Sequence, residues 1–208
     1  MPFITFEGVE GCGKSTQLRL LAGRLDELGR PVQSTREPGG TPVGEKIRAI
    51  LLDPAHAALD PVAEWLLIEA ARRQHVREVL APALAGGDVF LLCDRFSDST
   101  EAYQVAGRGL DSRGVADLDA RVRDGIAPVL TLLYDLDPAE GLARAGRRDA
   151  GATGRFEAED LALHERVRAA FLAIARREPE RVVVVPASGN ADAVFAETWS
   201  IVAGRFGV

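Results

Sequence analysis

Only two cysteines occur in the 208 residues, Cys12 in a glycine-rich loop and Cys93 in an apolar run, and they form no metal-ligand spacing. A reduced, cytoplasmic setting is the expectation. No stretch is apolar enough to span a membrane. The chain opens directly on the strand-like Pro2-Phe3-Ile4-Thr5-Phe6, without the basic region, apolar segment and cleavage site of a secretory leader. An excess of positive charge is missing as well. The formal net charge of -6 argues against nonspecific adhesion to nucleic acid, while leaving room for a local basic pocket that takes small anions. The three histidines, His56, His75 and His164, are scattered without the partner spacing of a triad or a metal site, and read as structural or surface residues. There is no internal repeat, heptad series or low-complexity tail.

What is present fits one soluble domain spanning residues 1–208, with 47% hydrophobic and 27% charged residues. Five short runs rich in β-branched residues, Pro2–Phe6, Pro31–Thr35, Val89–Asp94, Val129–Asp135 and Arg181–Pro186, read as buried strands. Helical spacing of apolar positions is clearest over Gln17–Leu28, Val62–Leu84 and Ala158–Arg177. The alternation predicts an α/β fold with a parallel sheet, which places ligands beyond the carboxyl ends of its strands. The glycine- and charge-rich Ala145–Gly154, within the segment 141–160, is expected to be a mobile lid.

Directly after the first strand stands Gly8-Val9-Glu10-Gly11-Cys12-Gly13-Lys14-Ser15-Thr16, a complete G-x-x-x-x-G-K-S/T pattern. Glycines let the backbone turn successive N–H groups toward phosphate oxygens, and a helix starting near Lys14 aims its positive end at the same anion. Lys14 adds a mobile cation for the β- and γ-phosphates of ATP, and the Ser15 hydroxyl is expected to meet Mg2+. The third strand ends in Leu91-Leu92-Cys93-Asp94-Arg95. A carboxylate at that strand tip suits direct or water-mediated magnesium binding, and Arg95 offers a planar fork to phosphate oxygens.

Four fragments taken together, Gly8–Thr16, Arg36-Glu37-Pro38-Gly39-Gly40-Thr41, Asp94-Arg95-Phe96 and Ser99-Thr100-Glu101-Ala102-Tyr103-Gln104, resemble the bacterial thymidylate kinases. The resemblance implies a P-loop kinase fold with a five-stranded parallel sheet flanked by helices and a small arginine-bearing lid. It further implies a homodimer and the ATP-dependent conversion of thymidine monophosphate to its diphosphate in deoxynucleotide (dTTP) synthesis. By that likeness Arg36 and Arg95 hold the acceptor phosphate, Glu10 addresses the acceptor sugar or the metal network, and Ser99, Thr100, Tyr103 and Gln104 line the acceptor site, with Tyr103 beneath the sugar. Arg144 matches the position against the adenine base. Related kinases that carry an arginine in the phosphate loop have it where Gly11 stands here, so the resemblance shifts that cation to the lid arginines, Arg148 and Arg155 among them. The acidic residue usual before Arg155 is replaced by Gly154. In Glu64-Trp65-Leu66-Leu67-Ile68-Glu69-Ala70-Ala71-Arg72, Arg72 matches a base-contacting arginine and Ile68 takes the place of a phenylalanine that packs on thymine.

Two other readings stay open at this point. One is a broader pyrimidine monophosphate kinase; the other is a nucleotide-binding switch, against which stands the lack of an N-K-x-D segment.

Overall fold

The structure, a computed structural model, describes residues 2–148 and 154–208, with only the backbone described for Arg148. Five strands form one sheet: β1 (Phe3–Glu7), β2 (Val32–Arg36), β3 (Phe90–Asp94), β4 (Leu130–Asp135) and β5 (Val182–Pro186). Their order is β2-β3-β1-β4-β5 and every pair is parallel. Each strand lies within a residue or so of its apolar run, because helices cover both faces and leave no polar alternation to blur the ends. β1 is buried at every position. Phe3 joins Leu91, Cys93, Val76, Leu80 and Phe96 on one face, while Ile4 and Phe6 pack with Leu21, Leu25, Leu132, Tyr134, Val167 and Phe171 on the other.

Helix α1 (Lys14–Glu27) starts three residues before its predicted range, since the glycine turn hands straight into it. α2 (Pro42–Leu52) is capped by Thr41, whose hydroxyl accepts from the Gly44 N–H. α3 (Pro61–His75) begins where the Asp60 carboxylate accepts the Val62 and Ala63 N–H groups. The stretch predicted as one helix over Val62–Leu84 widens into a π turn at Val76–Leu80 before α4 (Ala81–Ala85). After β3, α5 (Ser97–Thr100) runs into a second π segment, Glu101–Gly107. α6 (Ser112–Arg123), α7 (Pro138–Arg148), α8 (Leu161–Arg177) and α9 (Ala191–Phe206) complete the layers. α8 starts at Leu161 rather than Ala158, because Asp160 caps it by accepting the Leu163 N–H.

Register places the chemistry. Arg36 pairs with Asp94 and Phe6 with Asp94, so the tips of β2, β3 and β1 bring Arg36, Asp94 and Glu7 to one edge beside the loop that starts α1. This is the carboxyl edge where a parallel sheet is expected to bind its ligand.

Candidate active site

A cavity of about 570 Å³ opens over that edge. Of the residues singled out in the sequence, Glu10, Gly11, Lys14, Ser15, Arg36, Ile68, Arg72, Asp94, Arg95, Ser99, Thr100, Tyr103 and Gln104 line it. Its size suits a nucleotide-scale ligand.

The phosphate loop forms one wall. Gly13 has φ 96°, and no side chain caps the start of α1, which leaves its first N–H groups for an anion. Lys14 folds back on the loop, donating to the carbonyls of Gly8 (3.0 Å) and Val9 (2.9 Å), with its Nζ 3.5 Å from Cys12 Sγ. Gly11, at φ 70°, lies so close to α7 that an added Cβ would run into the carbonyl oxygen of Gly141. A Cβ on Gly141 would in turn strike the carbonyl oxygen of Glu10. Thr16 follows in α1, and within the loop Gly8 and Cys12 are buried.

The Ser15 hydroxyl donates to Asp94 Oδ2 at 2.6 Å. Both are hard oxygen ligands facing the cavity. Among the described residues no group of three or more His, Cys, Asp and Glu forms a metal cage. That donor set fits Mg2+, which keeps several waters and takes the rest of its shell from one or two protein oxygens and substrate phosphates.

Directly after β3, Arg95 sits at φ 69°, in the left-handed region a non-glycine residue seldom occupies. Its Nη2 donates to Glu10 Oε1 (2.9 Å) and to the Tyr103 hydroxyl (3.2 Å), and its Nη1 to Ser99 Oγ (3.1 Å). The guanidinium also lies 5.0 Å from the centre of the Tyr103 ring. Tyr103 donates to Glu10. Burial would raise the Glu10 carboxyl, yet Arg95, the nearby His164 ring, Lys14 and Tyr103 hold it well below the usual carboxylate range.

Beneath this cluster lies Glu7, which the sequence reading passed over. It accepts from the Phe96 N–H (2.7 Å) and from Ser99 Oγ (2.6 Å), so it fixes the turn that carries Arg95. Burial and the neighbouring Asp98 push its carboxyl up to about 7, against the pull of Arg95, Ser99 and the Phe96 N–H. A carboxylate closing an otherwise apolar strand was the available signal. Arg48 on α2 also lines the cavity, donating to the Pro38 carbonyl at 2.9 Å, and nothing in the sequence marked it. Arg36 reaches the cavity half exposed and paired with Glu45 at 2.9 Å.

The wall expected to hold the base is more constrained than predicted. Ile68 and Arg72 share one face of α3 and both line the cavity, but Arg72 is only 2% exposed. Its Nε donates to Glu37 (2.8 Å), and its Nη1 to Glu69 (2.8 Å), Thr100 (2.8 Å) and Asp119 (2.9 Å). Only Nη2 is without a partner among the described residues. Gln104 spends its amide on Glu64 at 3.0 Å.

The lid-side arginines are placed as follows. Arg155 is buried and points away from the phosphate loop, with its Nε on the His56 carbonyl (3.0 Å), Nη1 on the Leu51 carbonyl (3.3 Å) and Nη2 on Glu64 (2.6 Å). Its guanidinium therefore ties the chain after the lid to α2 and α3 in this conformation, and is not a cation over the phosphates. Arg144 donates to the carbonyls of Ala187 (2.9 Å) and Ser188 (3.0 Å), outside the cavity lining. The Arg148 side chain and residues 149–153, the middle of the expected lid, lie outside the described residues.

Comparison with known proteins agrees with this geometry. A family model described as thymidylate kinase matches residues 6–198. A thymidylate kinase of Trichlorobacter lovleyi is 52% identical over 190 residues, covering 89% of each chain. One from Caulobacter vibrioides is 51% identical over 206 residues, covering 99% of this chain and 98% of its own. A crystal structure of thymidylate kinase from Ehrlichia chaffeensis superposes with a TM-score of 0.78 at 33% identity, covering 97% of this chain and 98% of that one.

Proposed function

The chain belongs to the thymidylate kinase family, and from that premise we infer that its cavity moves the γ-phosphate of ATP onto thymidine monophosphate. The carrying observation is the meeting of two anion-binding arrangements in one cavity. The phosphate loop with Lys14 and the guanidinium groups of Arg36, Arg48 and Arg95 line the same cavity. Two phosphates must be brought together against their repulsion, and cations placed on both sides offset it while aligning attack. The acceptor phosphate is already a nucleophile near neutral pH, so no activating triad is needed.

On this reading Ser15 and Asp94 hold Mg2+, which would supply charge neutralisation at the transferring phosphate. Arg95 and Arg36 orient the acceptor phosphate, Ile68 and the free Nη2 of Arg72 meet the base, and Tyr103 lies beneath the sugar with Glu10. The lid arginines, Arg148 first among them, complete the donor side, and Arg144 borders the adenine. Arg155 acts as the lid's anchor.

A homodimer belongs to the same reading. Val62 and Leu66, 45% and 50% exposed on one face of α3, favour a second copy as cover. Sedimentation at micromolar concentration tests it, with Leu66→Glu expected to give monomers. The two free, buried cysteines suit a cytoplasmic setting, and no helix among the described residues is long and apolar enough to cross a membrane.

The deciding experiment is an acceptor panel with ATP and magnesium. ADP formation should depend on the acceptor and rank thymidine monophosphate first; ATP hydrolysis indifferent to any acceptor would point to a switch instead.

A further inference from the structure

His164 on α8 is 1% exposed, and neither ring nitrogen has a hydrogen-bond partner among the described residues. An imidazole stripped of water on both nitrogens is costly, and native proteins seldom keep one without a use for it. Its Nδ1 lies 3.4 Å from Glu10 Oε2, near the carboxylate that borders the cavity but not hydrogen-bonded to it. The two oxygens of that carboxylate are unequally held. Oε1 takes Arg95 Nη2 at 2.9 Å and the Tyr103 hydroxyl at 2.7 Å, whereas Oε2, among the described residues, accepts only from Tyr103, at 2.6 Å.

Arg95 thus has two claims on it. The acceptor phosphate, with more charge than a carboxylate and a geometry matching the guanidinium fork, competes directly with Glu10 for Nη2. When Arg95 turns to the phosphate, Glu10 loses its ion-pair partner inside a largely buried site and keeps only the nearby Lys14 charge and the Tyr103 hydroxyl, so a further donor stabilises its ionised form. His164 Nδ1 is the unspent donor within reach.

We propose, building on the acceptor site described above, that His164 is a positioning residue whose Nδ1–H donates a hydrogen bond to Glu10 once the acceptor phosphate draws Arg95 away. Glu10 then stays ionised and oriented toward the acceptor. The working form is the tautomer that carries its hydrogen on Nδ1.

The test pairs two substitutions. His164→Phe keeps the ring volume and removes the donor; His164→Asn keeps a donor near the place of Nδ1. The phenylalanine variant is expected to melt no lower than wild type, because an unpaired buried polar group has been removed. Its kcat/KM for thymidine monophosphate should nonetheless fall about tenfold or more, with KM for ATP within about twofold, since one hydrogen bond to a charged group is at stake. The asparagine variant should regain most of the loss. Wild-type acceptor efficiency in His164→Phe, or equal impairment of both variants, overturns the proposal.

Should either variant fold poorly, 15N imidazole spectra of the wild-type chain give the same decision. Adding thymidine monophosphate should move the His164 Nδ1–H resonance from that of a free N–H to that of a hydrogen-bonded one, and an unmoved resonance counts against the proposal. Arg95→Lys, titrated with thymidine monophosphate in parallel, separates the two layers. If it binds the acceptor normally, the acceptor-site reading itself fails; if it loses the acceptor while His164→Phe does not, only the role of His164 fails.

Discussion

The Ser15 hydroxyl donates to Asp94 across 2.6 Å, joining the start of α1 to the tip of β3 on the floor of the cavity. Asp94→Asn keeps the shape and removes the charge. Half-maximal rate is then expected to require about 10–100 times more magnesium at saturating ATP. Metal titrations of both forms check this, and an unchanged requirement would take the pair out of the metal site.

Lys14→Ala should lower kcat by about a hundredfold or more, the scale on which a preorganised charge at a transition state is missed. Lys14 Nζ bonds only to its own loop, so the fold should persist. Steady-state rates, alongside circular dichroism melting within a few degrees of wild type, would show this.

Arg95→Lys preserves charge and loses the fork. A weakening of the acceptor contact by about 1.5–3 kcal/mol is expected, read as a drop in kcat/KM for thymidine monophosphate that exceeds any change in KM for ATP. An effect confined to ATP would move Arg95 to the donor side.

Glu7 makes stability depend on pH with a definite sign. Its folded pKa of about 7 stands above the ordinary carboxyl value of 4.5, so the folded chain holds a proton that the unfolded chain has released. The stability this brings is complete below pH 4.5 and is lost as pH rises toward and through 7, an effect on the order of a few kcal/mol. Glu69, pushed up to about 7 by burial and by Asp119 and Glu37 against the pull of Arg72, acts in the same direction. Urea midpoints between pH 5 and 8 should fall in wild type and fall less in Glu7→Gln. Equal slopes would mean that Glu7 is ionised throughout.

Arg72 and Ile68 share a face but should respond differently. Arg72→Ala leaves Glu37, Glu69 and Asp119 facing one another in the interior, and a loss of about 3–5 kcal/mol of stability is expected. Ile68→Phe should fold normally and tighten thymidine monophosphate by about 0.5–1.5 kcal/mol through ring stacking. Thermal melts and calorimetry on both variants decide, and unaltered acceptor affinity in a folded Ile68→Phe would remove this face from the base pocket.

The sheet was legible because its strands are short apolar runs, and the phosphate loop because its spacing is tied to one strand-to-helix turn. The burial of Arg72 was not, since Glu37, Glu69, Thr100 and Asp119 converge on it from separate elements that no local pattern links. Arg155 shows the same limit. A lid arginine and a buried anchor look alike until Glu64 and the carbonyls of Leu51 and His56 are seen around it. Helix ends were missed where caps decide them: Asp60 and Asp160 start α3 and α8 with side-chain bonds that hydrophobic spacing ignores.

The backbone contact between Gly11 and Gly141 makes positions 11 and 141 a single mutational unit. In a randomised library a side chain at 11 should survive only in clones where the loop has pulled back from α7. Such clones would carry the new residue, an arginine included, on a displaced phosphate cradle. Moving the missing cation into the loop is therefore not a one-step change for this chain. It requires rebuilding the seat of α7 first.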